Sequence, residues 1–327
     1  MLEPTLNFLQ VPGPRGKGSA DRRLAWWDWN QTGQKSPARV VVCVHGLTRQ
    51  ARDFDTLAKA LSKTARVVCV DVAGRGHSDW LEDPMGYQIP NYATDLAVLL
   101  AHLRQEHAQQ QAQLHAHNPA LENTEAPALR VDWVGTSMGG LIGLVLAAQP
   151  AMGIRRLVLN DVGPVLQVDA LDRIGTYLGV QPVFASEQEA AAYLRQISPS
   201  FGPHTDPEWS ALSRPMLRPV QGGWTLHYDP DIAAPFKALM ALQADPATRL
   251  AAAQASETQL WALYDAVSCP TLVLRGKQSD LLTEATLAAM QQRGPKAQAV
   301  EFAGVGHAPT LVAADQVAVV QSFLDSP

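Results

Sequence analysis

Gly135-Thr136-Ser137-Met138-Gly139 constrains the fold of this chain more than any other stretch. An apolar, β-rich run at 130–134 leads into it, and an apolar run of helical character at 140–148 leaves it. A strand that turns straight into a helix around Gly-x-Ser-x-Gly makes a nucleophile elbow. The turn is so sharp that the residues beside the serine must be small, which puts glycine on both sides. It lifts the serine oxygen clear of the sheet and sets it at a helix N-terminus, where free N–H groups favour an oxyanion. An ordinary glycine-rich turn has the same five letters. The rest of the chain must therefore supply the partners such a serine needs.

Strand-like and helix-like segments alternate on both sides of the elbow. Strands are expected at 7–11, 24–30, 40–44, 66–71, 130–134 and 155–159, and helices at 51–63, 92–107 and 138–149. The unbroken apolar run at 40–44 suits a strand buried on both faces. This order implies a parallel sheet with right-handed crossovers, an α/β fold. From 164 to 267 the pattern turns helical and is broken by prolines; β/α alternation resumes at 271–275 and 298–302, with helices at 283–292 and 313–324. The expected organisation is a first core segment at 1–163, a helical insertion at 164–267, and a core completion at 268–327.

Composition narrows the class of protein. Of 327 residues, 46% are hydrophobic and 17% charged, which suits a soluble globular chain. The net charge of −5, without a long basic run, argues against nucleic acid or an anionic membrane as partner. The first ten residues have neither a positive nor a sustained apolar region, so no signal peptide is expected. Cys43, Cys69 and Cys269 are odd in number and lie in or beside apolar β-rich runs. They read as buried free thiols in a reducing compartment, hence a cytoplasmic chain. A Gln-, Ala- and His-rich stretch at 105–127 exceeds a normal αβ connection. His102, His107, His115 and His117 invite a metal, but the composition fits a helix extension and a solvated loop, and no metal is expected.

A serine nucleophile needs a base, and the base an orienting acid. His307 and Asp280 each follow the carboxyl end of an expected core strand, the edge on which Ser137 sits and where functional groups of parallel sheets collect. His307 is the expected base. Asp280 is the favoured acid; Asp161, just past the strand at 155–159, is the alternative, with shaping the exit into the insertion as its other role. Two N–H donors are needed for the oxyanion. They are expected from Met138, after the nucleophile, and Leu47, in the loop His45-Gly46-Leu47-Thr48. His45 more simply braces that loop. Arg49 is a substrate-carboxylate candidate, although pairing with Asp53 or Asp55 suits it better. The glycine-rich loop at 71–79 has neither dinucleotide nor phosphate-loop spacing and reads as a tight turn held by Asp71 and Ser78. Trp80, just past it, is a candidate for the pocket rim.

Together these pieces resemble the α/β-hydrolase fold superfamily: His45-Gly46-Leu47-Thr48, the loop at 71–78, Gly135 to Gly140, the segment 272–280 and Gly304-Val-Gly-His307, in the right order across the core. Ser-Met-Gly-Gly resembles the cofactor-free, capped esterase, lactonase and C–C-bond hydrolase branch. The resemblance implies an eight-stranded, mostly parallel sheet flanked by helices, a helical cap inserted after strand six, and a Ser–His–Asp triad. A serine in place of an aspartate nucleophile argues against dehalogenase or epoxide hydrolase chemistry. The expected activity is hydrolysis of a small to medium, partly apolar ester, thioester or lactone through an acyl-enzyme. C–C-bond hydrolysis, with Arg49, Arg195, Arg214 or Arg218 as a carboxylate clamp, acyl transfer, and ligand reception without catalysis remain rivals. The aromatics of the insertion, among them Tyr177, Tyr193, Phe201, Trp209 and Tyr228, are expected to supply a few pocket residues.

Overall fold

The structure is a computed structural model that describes residues 3–13, 21–117, 126–242 and 245–326. Eight strands form one sheet: β1 (Thr5–Val11), β2 (Arg22–Trp29), β3 (Arg39–Val44), β4 (Arg66–Asp71), β5 (Arg130–Thr136), β6 (Ile154–Asn160), β9 (Thr271–Gly276) and β10 (Gln298–Phe302). Their spatial order is β1-β2-β4-β3-β5-β6-β9-β10. β2 runs antiparallel to both neighbours, and every other pairing is parallel.

The central strands are apolar throughout because both faces are covered. Along β3, Val40, Val42 and Val44 enter one hydrophobic cluster and Val41 and Cys43 the other, the two-residue alternation of a pleated strand. Helix α2 (Ile89–Ala116) covers the first face with Leu96, Leu99, Leu100 and Leu103, beside α3 (Met138–Ala147). Burying each such leucine stabilises the fold by about 2 kcal/mol. Helices α1 (Asp55–Leu61) and α10 (Ala314–Asp325) cover the second face through Leu57, Leu61, Val320 and Phe323. α2 extends to Ala116, through the Gln- and His-rich stretch; residues 118–125 of that stretch lie outside the described residues. No group of three or more possible metal-ligating side chains occurs among the described residues. No helix there is long and apolar enough to cross a membrane.

The insertion adds a short hairpin to the helices expected of it. Between β6 and β9 it holds α4 (Val168–Tyr177), α5 (Glu187–Ile197), α6 (Asp206–Ser213), α7 (Ala234–Leu242) and α8 (Pro246–Ala266), and also a two-stranded hairpin, β7 (Leu217–Val220) and β8 (Gly223–Leu226). At four residues each, these strands are too short for a periodic signal, and Gly222, at φ 90°, makes their turn. The first helix of the completing core segment, α9 (Glu284–Met290), follows β9.

Candidate active site

Strand β5 delivers Ser137 with φ 51° and ψ −115°, a conformation that an L-residue adopts only when its surroundings enforce it. The enforcing contacts come from both ends of the turn. The Ser137 N–H donates to the Asn160 carbonyl at 2.9 Å, and the Ser137 carbonyl accepts from Gly140 N–H at 2.9 Å. The flanking glycines are steric requirements. A Cβ on Gly135 would lie 2.2 Å from the Gly139 carbonyl oxygen, and one on Gly139 would lie 2.0 Å from that of Val44.

The His307 ring lies between two partners. Its Nε2 is 3.0 Å from Ser137 Oγ, and its Nδ1 is 2.7 Å from Asp161 Oδ2. The expected acid, Asp280, is not that partner. Asp280 accepts instead from Arg173, Nε to Oδ2 at 2.7 Å and Nη2 to Oδ1 at 3.0 Å, in a half-exposed ion pair. Burial opposes its charge, but the hydrogen bonds and positive charge of Arg173 hold the Asp280 carboxyl below its ordinary range. The correction has a local cause. Asp161 leaves β6 with φ 56°, is fully buried, and accepts from Gly276 N–H at 2.9 Å and Ser279 Oγ at 2.6 Å as well as from the imidazole. Ser279 thus ties the loop of Asp280 to the carboxylate that holds His307.

The insertion reaches the histidine too. Ser200 Oγ donates to the His307 carbonyl at 2.5 Å, and the Ser200 carbonyl accepts from Gly306 N–H at 2.7 Å. His204 contacts Thr310 Oγ1 at 2.8 Å. The loop that presents His307 is therefore fixed from above and below.

On the opposite flank, the oxyanion candidates meet at one buried cation. The Leu47 N–H has no acceptor among the described residues, and that of Met138 is the first of its helix, with none inside it. Arg75, fully buried, donates from Nε to the Leu47 carbonyl at 2.9 Å, and from Nη1 to the Ala73 carbonyl at 2.7 Å and Tyr92 Oη at 2.8 Å. Its Nη2 lies 3.7 Å from Met138 Sδ. The sequence of 71–79 reads only as a turn. Its expected braces are present: Ser78 Oγ donates to the Asp71 carbonyl at 2.5 Å, and the Asp71 carboxylate accepts from Ala51 and His77 N–H groups. Arg75 stands between two glycines, with Asp71 and Asp79 four residues to either side, and nothing local shows which groups it holds. The same loop also meets the insertion, through Gly76 N–H to the His227 carbonyl at 3.1 Å and Asp229 N–H to the Gly74 carbonyl at 2.7 Å.

His45 braces its loop, as expected. Its Nε2 accepts from Val72 N–H at 3.0 Å and its Nδ1 faces the Gly46 carbonyl at 2.7 Å. Arg49 pairs with Asp53, both contacts at 2.7 Å, and also lines the cleft. Trp80 does not line it; the ring is exposed beneath the Arg218 guanidinium. Arg195 pairs with Asp206 and Arg214 with Glu187, and neither lines the cleft. Arg173, which does, was not singled out from the sequence.

The cleft over Ser137 and His307 encloses about 1140 Å³, open mouth included. Tyr177, Tyr193, Leu194, Phe201, Met216 and Tyr228 of the insertion face Leu47, Ser137 and His307 of the core across it. An apolar wall with a few converging polar groups is the usual form of a small-molecule site.

A sequence profile described as the alpha/beta hydrolase family matches residues 41–320. The chain belongs to that family. This hydrolase is 44% identical over 324 residues to a 3-hydroxybutyrate-oligomer hydrolase of Cupriavidus necator, covering 98% of this chain and 97% of that one. It is 24% identical over 295 residues to a 2-(acetamidomethylene)succinate hydrolase of Mesorhizobium japonicum, covering 90% of each. Among solved structures, an alpha/beta hydrolase from Novosphingobium aromaticivorans superposes with a TM-score of 0.76 at 33% identity, covering 99% of each chain. The eight-stranded sheet of this hydrolase is that of the family.

Proposed function

We propose that this hydrolase is a cofactor-independent serine esterase that cleaves short oligoesters of 3-hydroxy acids. The observation that carries the reading is the His307 ring, held 3.0 Å from Ser137 Oγ on one side and 2.7 Å from Asp161 Oδ2 on the other. The extent of the similarity to the Cupriavidus hydrolase supports the substrate class.

In this mechanism Ser137 Oγ attacks the ester carbonyl as His307 Nε2 takes its proton. Asp161 keeps the imidazole in the required tautomer and offsets its charge. The carbonyl oxygen, now negative, accepts from the Leu47 and Met138 N–H groups. The imidazolium returns the proton to the departing hydroxyl, which leaves an acyl-Ser137. Water, deprotonated by His307, then frees the acid and restores the serine. The insertion at 164–267 acts as a cap that selects substrate, because it supplies most of the apolar wall. Cys43 and Cys69, opposed across β3 and β4 as free thiols, support a reducing, cytoplasmic setting.

Two measurements test this together: labelling by a fluorophosphonate probe, and chromatographic assay of 3-hydroxybutyrate dimer and trimer cleavage. Labelling at Ser137, with cleavage abolished by Ser137→Ala, is expected. An unlabelled Ser137, with no cleavage of the oligomers, would sink the reading.

A further inference from the structure

We propose that Arg173 is a carboxylate subsite that reads the free acid end of the leaving hydroxy acid, so that cleavage occurs towards the carboxyl terminus of the oligoester. The inference rests on the esterase reading above and adds to it the group that recognises one end of the substrate.

Two cations, Arg49 and Arg173, line the cleft, and they stand differently towards it. The acid of Arg49, Asp53, lines the cleft beside it, and the Arg49 Nη2 also donates to the Leu212 carbonyl at 3.0 Å. A substrate carboxylate approaching Arg49 meets Asp53 as well. The acid of Arg173, Asp280, is not part of the cleft wall, so Arg173 lines the cavity without its counter-ion beside it there. Asp280 engages the Nε and Nη2 groups, and the Nη1 edge is not engaged by any carboxylate among the described residues. A planar guanidinium accommodates two carboxylates on different edges. The resident pair is 39% and 46% exposed, so it holds Arg173 in place without binding it strongly. Tyr177, on the same helix and also in the cleft wall, is hydrogen-bonded to Arg173, and the charge and hydrogen bond of the guanidinium counteract the effect of burial on the phenol.

Position gives the site its meaning. A leaving oxygen must come within hydrogen-bond reach of His307 Nε2 to receive its proton. The leaving group therefore lies on the His307 flank, and the oxyanion on the Leu47 and Met138 flank. Arg173 belongs to the His307 flank. Asp161 Oδ2, which holds His307, also accepts from Ser279 Oγ at 2.6 Å, and the next residue, Asp280, holds Arg173. A hydroxy acid departing on this side has one charged group besides its hydroxyl, the carboxylate, and Arg173 is the cation on this flank of the cleft wall.

The test is calorimetric titration of the Ser137→Ala protein with the linear 3-hydroxybutyrate dimer, as free acid and as methyl ester. The free acid is expected to bind about tenfold tighter or more, the worth of one charge-assisted pair. Arg173→Gln is expected to erase the difference. Asp280→Asn, which keeps the guanidinium and removes its resident charge, is expected to tighten the acid several-fold and leave the ester unmoved. Equal binding of acid and ester, binding of neither, or a difference that survives Arg173→Gln would overturn the subsite. Turnover separates this inference from the one beneath it. A wild-type protein that binds the acid through Arg173 and never cleaves it sinks the esterase reading alone. One that cleaves both dimers with no preference for the acid sinks the subsite alone.

Discussion

His307 Nδ1 lies 2.7 Å from Asp161 Oδ2, across 146 residues of sequence. The carboxylate is fully buried and also held by Gly276 and Ser279, so it has no freedom to serve another partner. Asp161→Asn should lower kcat by about 10⁴-fold, because an amide neither fixes the tautomer nor offsets the imidazolium. Asp280→Asn should leave kcat for a p-nitrophenyl ester within about tenfold, since an exposed pair such as its own with Arg173 contributes little. Steady-state assays of both variants, each checked for folding by circular dichroism, decide the point; a greater loss at Asp280 would reverse the assignment.

The contrast between these two aspartates shows which parts of the site the sequence reveals. Ser137 is legible because its strand, its glycines and its helix are contiguous, and His307 because it follows a strand in a glycine-rich loop. The acid is not, because two aspartates follow adjacent strands and the choice depends on which carboxylate turns inward. A positive φ at Asp161 and a hydroxyl from Ser279 make that choice, and neither has a local signature. Arg75 and Arg173 were hidden for the same reason: their partners at Leu47, Tyr92 and Asp280 come from distant segments. The core alternation was legible throughout, since buried parallel strands need continuous apolar runs. The β7–β8 hairpin was not, since its strands are four residues each.

Arg75 gives the second prediction. It holds the Leu47 carbonyl and touches the Met138 sulfur, so both oxyanion candidates depend on it. Arg75→Met should lower kcat by about 10²–10³-fold, the cost of one lost oxyanion donor. KM should change far less. Affinity for a trifluoromethyl ketone, which mimics the tetrahedral state, should fall with kcat. Leaving the Leu47 and Ala73 carbonyls without their donor should also cost about 1–3 kcal/mol per group, read from urea denaturation. A drop in stability with undiminished kcat in the folded protein would mean that Arg75 supports the fold and not the chemistry.

Two glycines separate steric from conformational demand. Gly135→Ala places a Cβ 2.2 Å from the Gly139 carbonyl oxygen, and backbone on both sides cannot yield. It should destabilise by about 3 kcal/mol or more and abolish activity. Gly33→Ala meets nothing within 4 Å but carries φ 73°. It should cost only about 1 kcal/mol and leave turnover intact. Thermal melts and assays of the pair would refute the elbow geometry if Gly135→Ala were the milder change.

His45 sets a pH dependence whose sign follows from its position. Burial, together with the charges of Arg75 and Arg49 and against the Gly46 carbonyl, pushes its pKa down from 6.5 to about 3. Its Nε2 accepts from Val72 N–H, a bond that a proton on that nitrogen would break. Between these two pKa values the unfolded chain binds a proton that the folded chain refuses, so stability rises with pH. The contribution is fully present above about pH 6.5 and is lost as pH falls towards 3. The slope from this one group is up to about 1.4 kcal/mol per pH unit. His77 and His227 are also lowered by burial and add to the wild-type slope, so the comparison has to be with a variant. His45→Gln keeps an acceptor for Val72 and cannot be protonated there. Urea midpoints measured from pH 7 down to pH 5 should fall more steeply in the wild type than in His45→Gln; parallel lines would show that His45 takes no part. Because the folded chain keeps His45 neutral down to about pH 3, the Val72 bond and the Gly46 contact that brace the oxyanion loop should stay intact over this range, and the loss is one of stability.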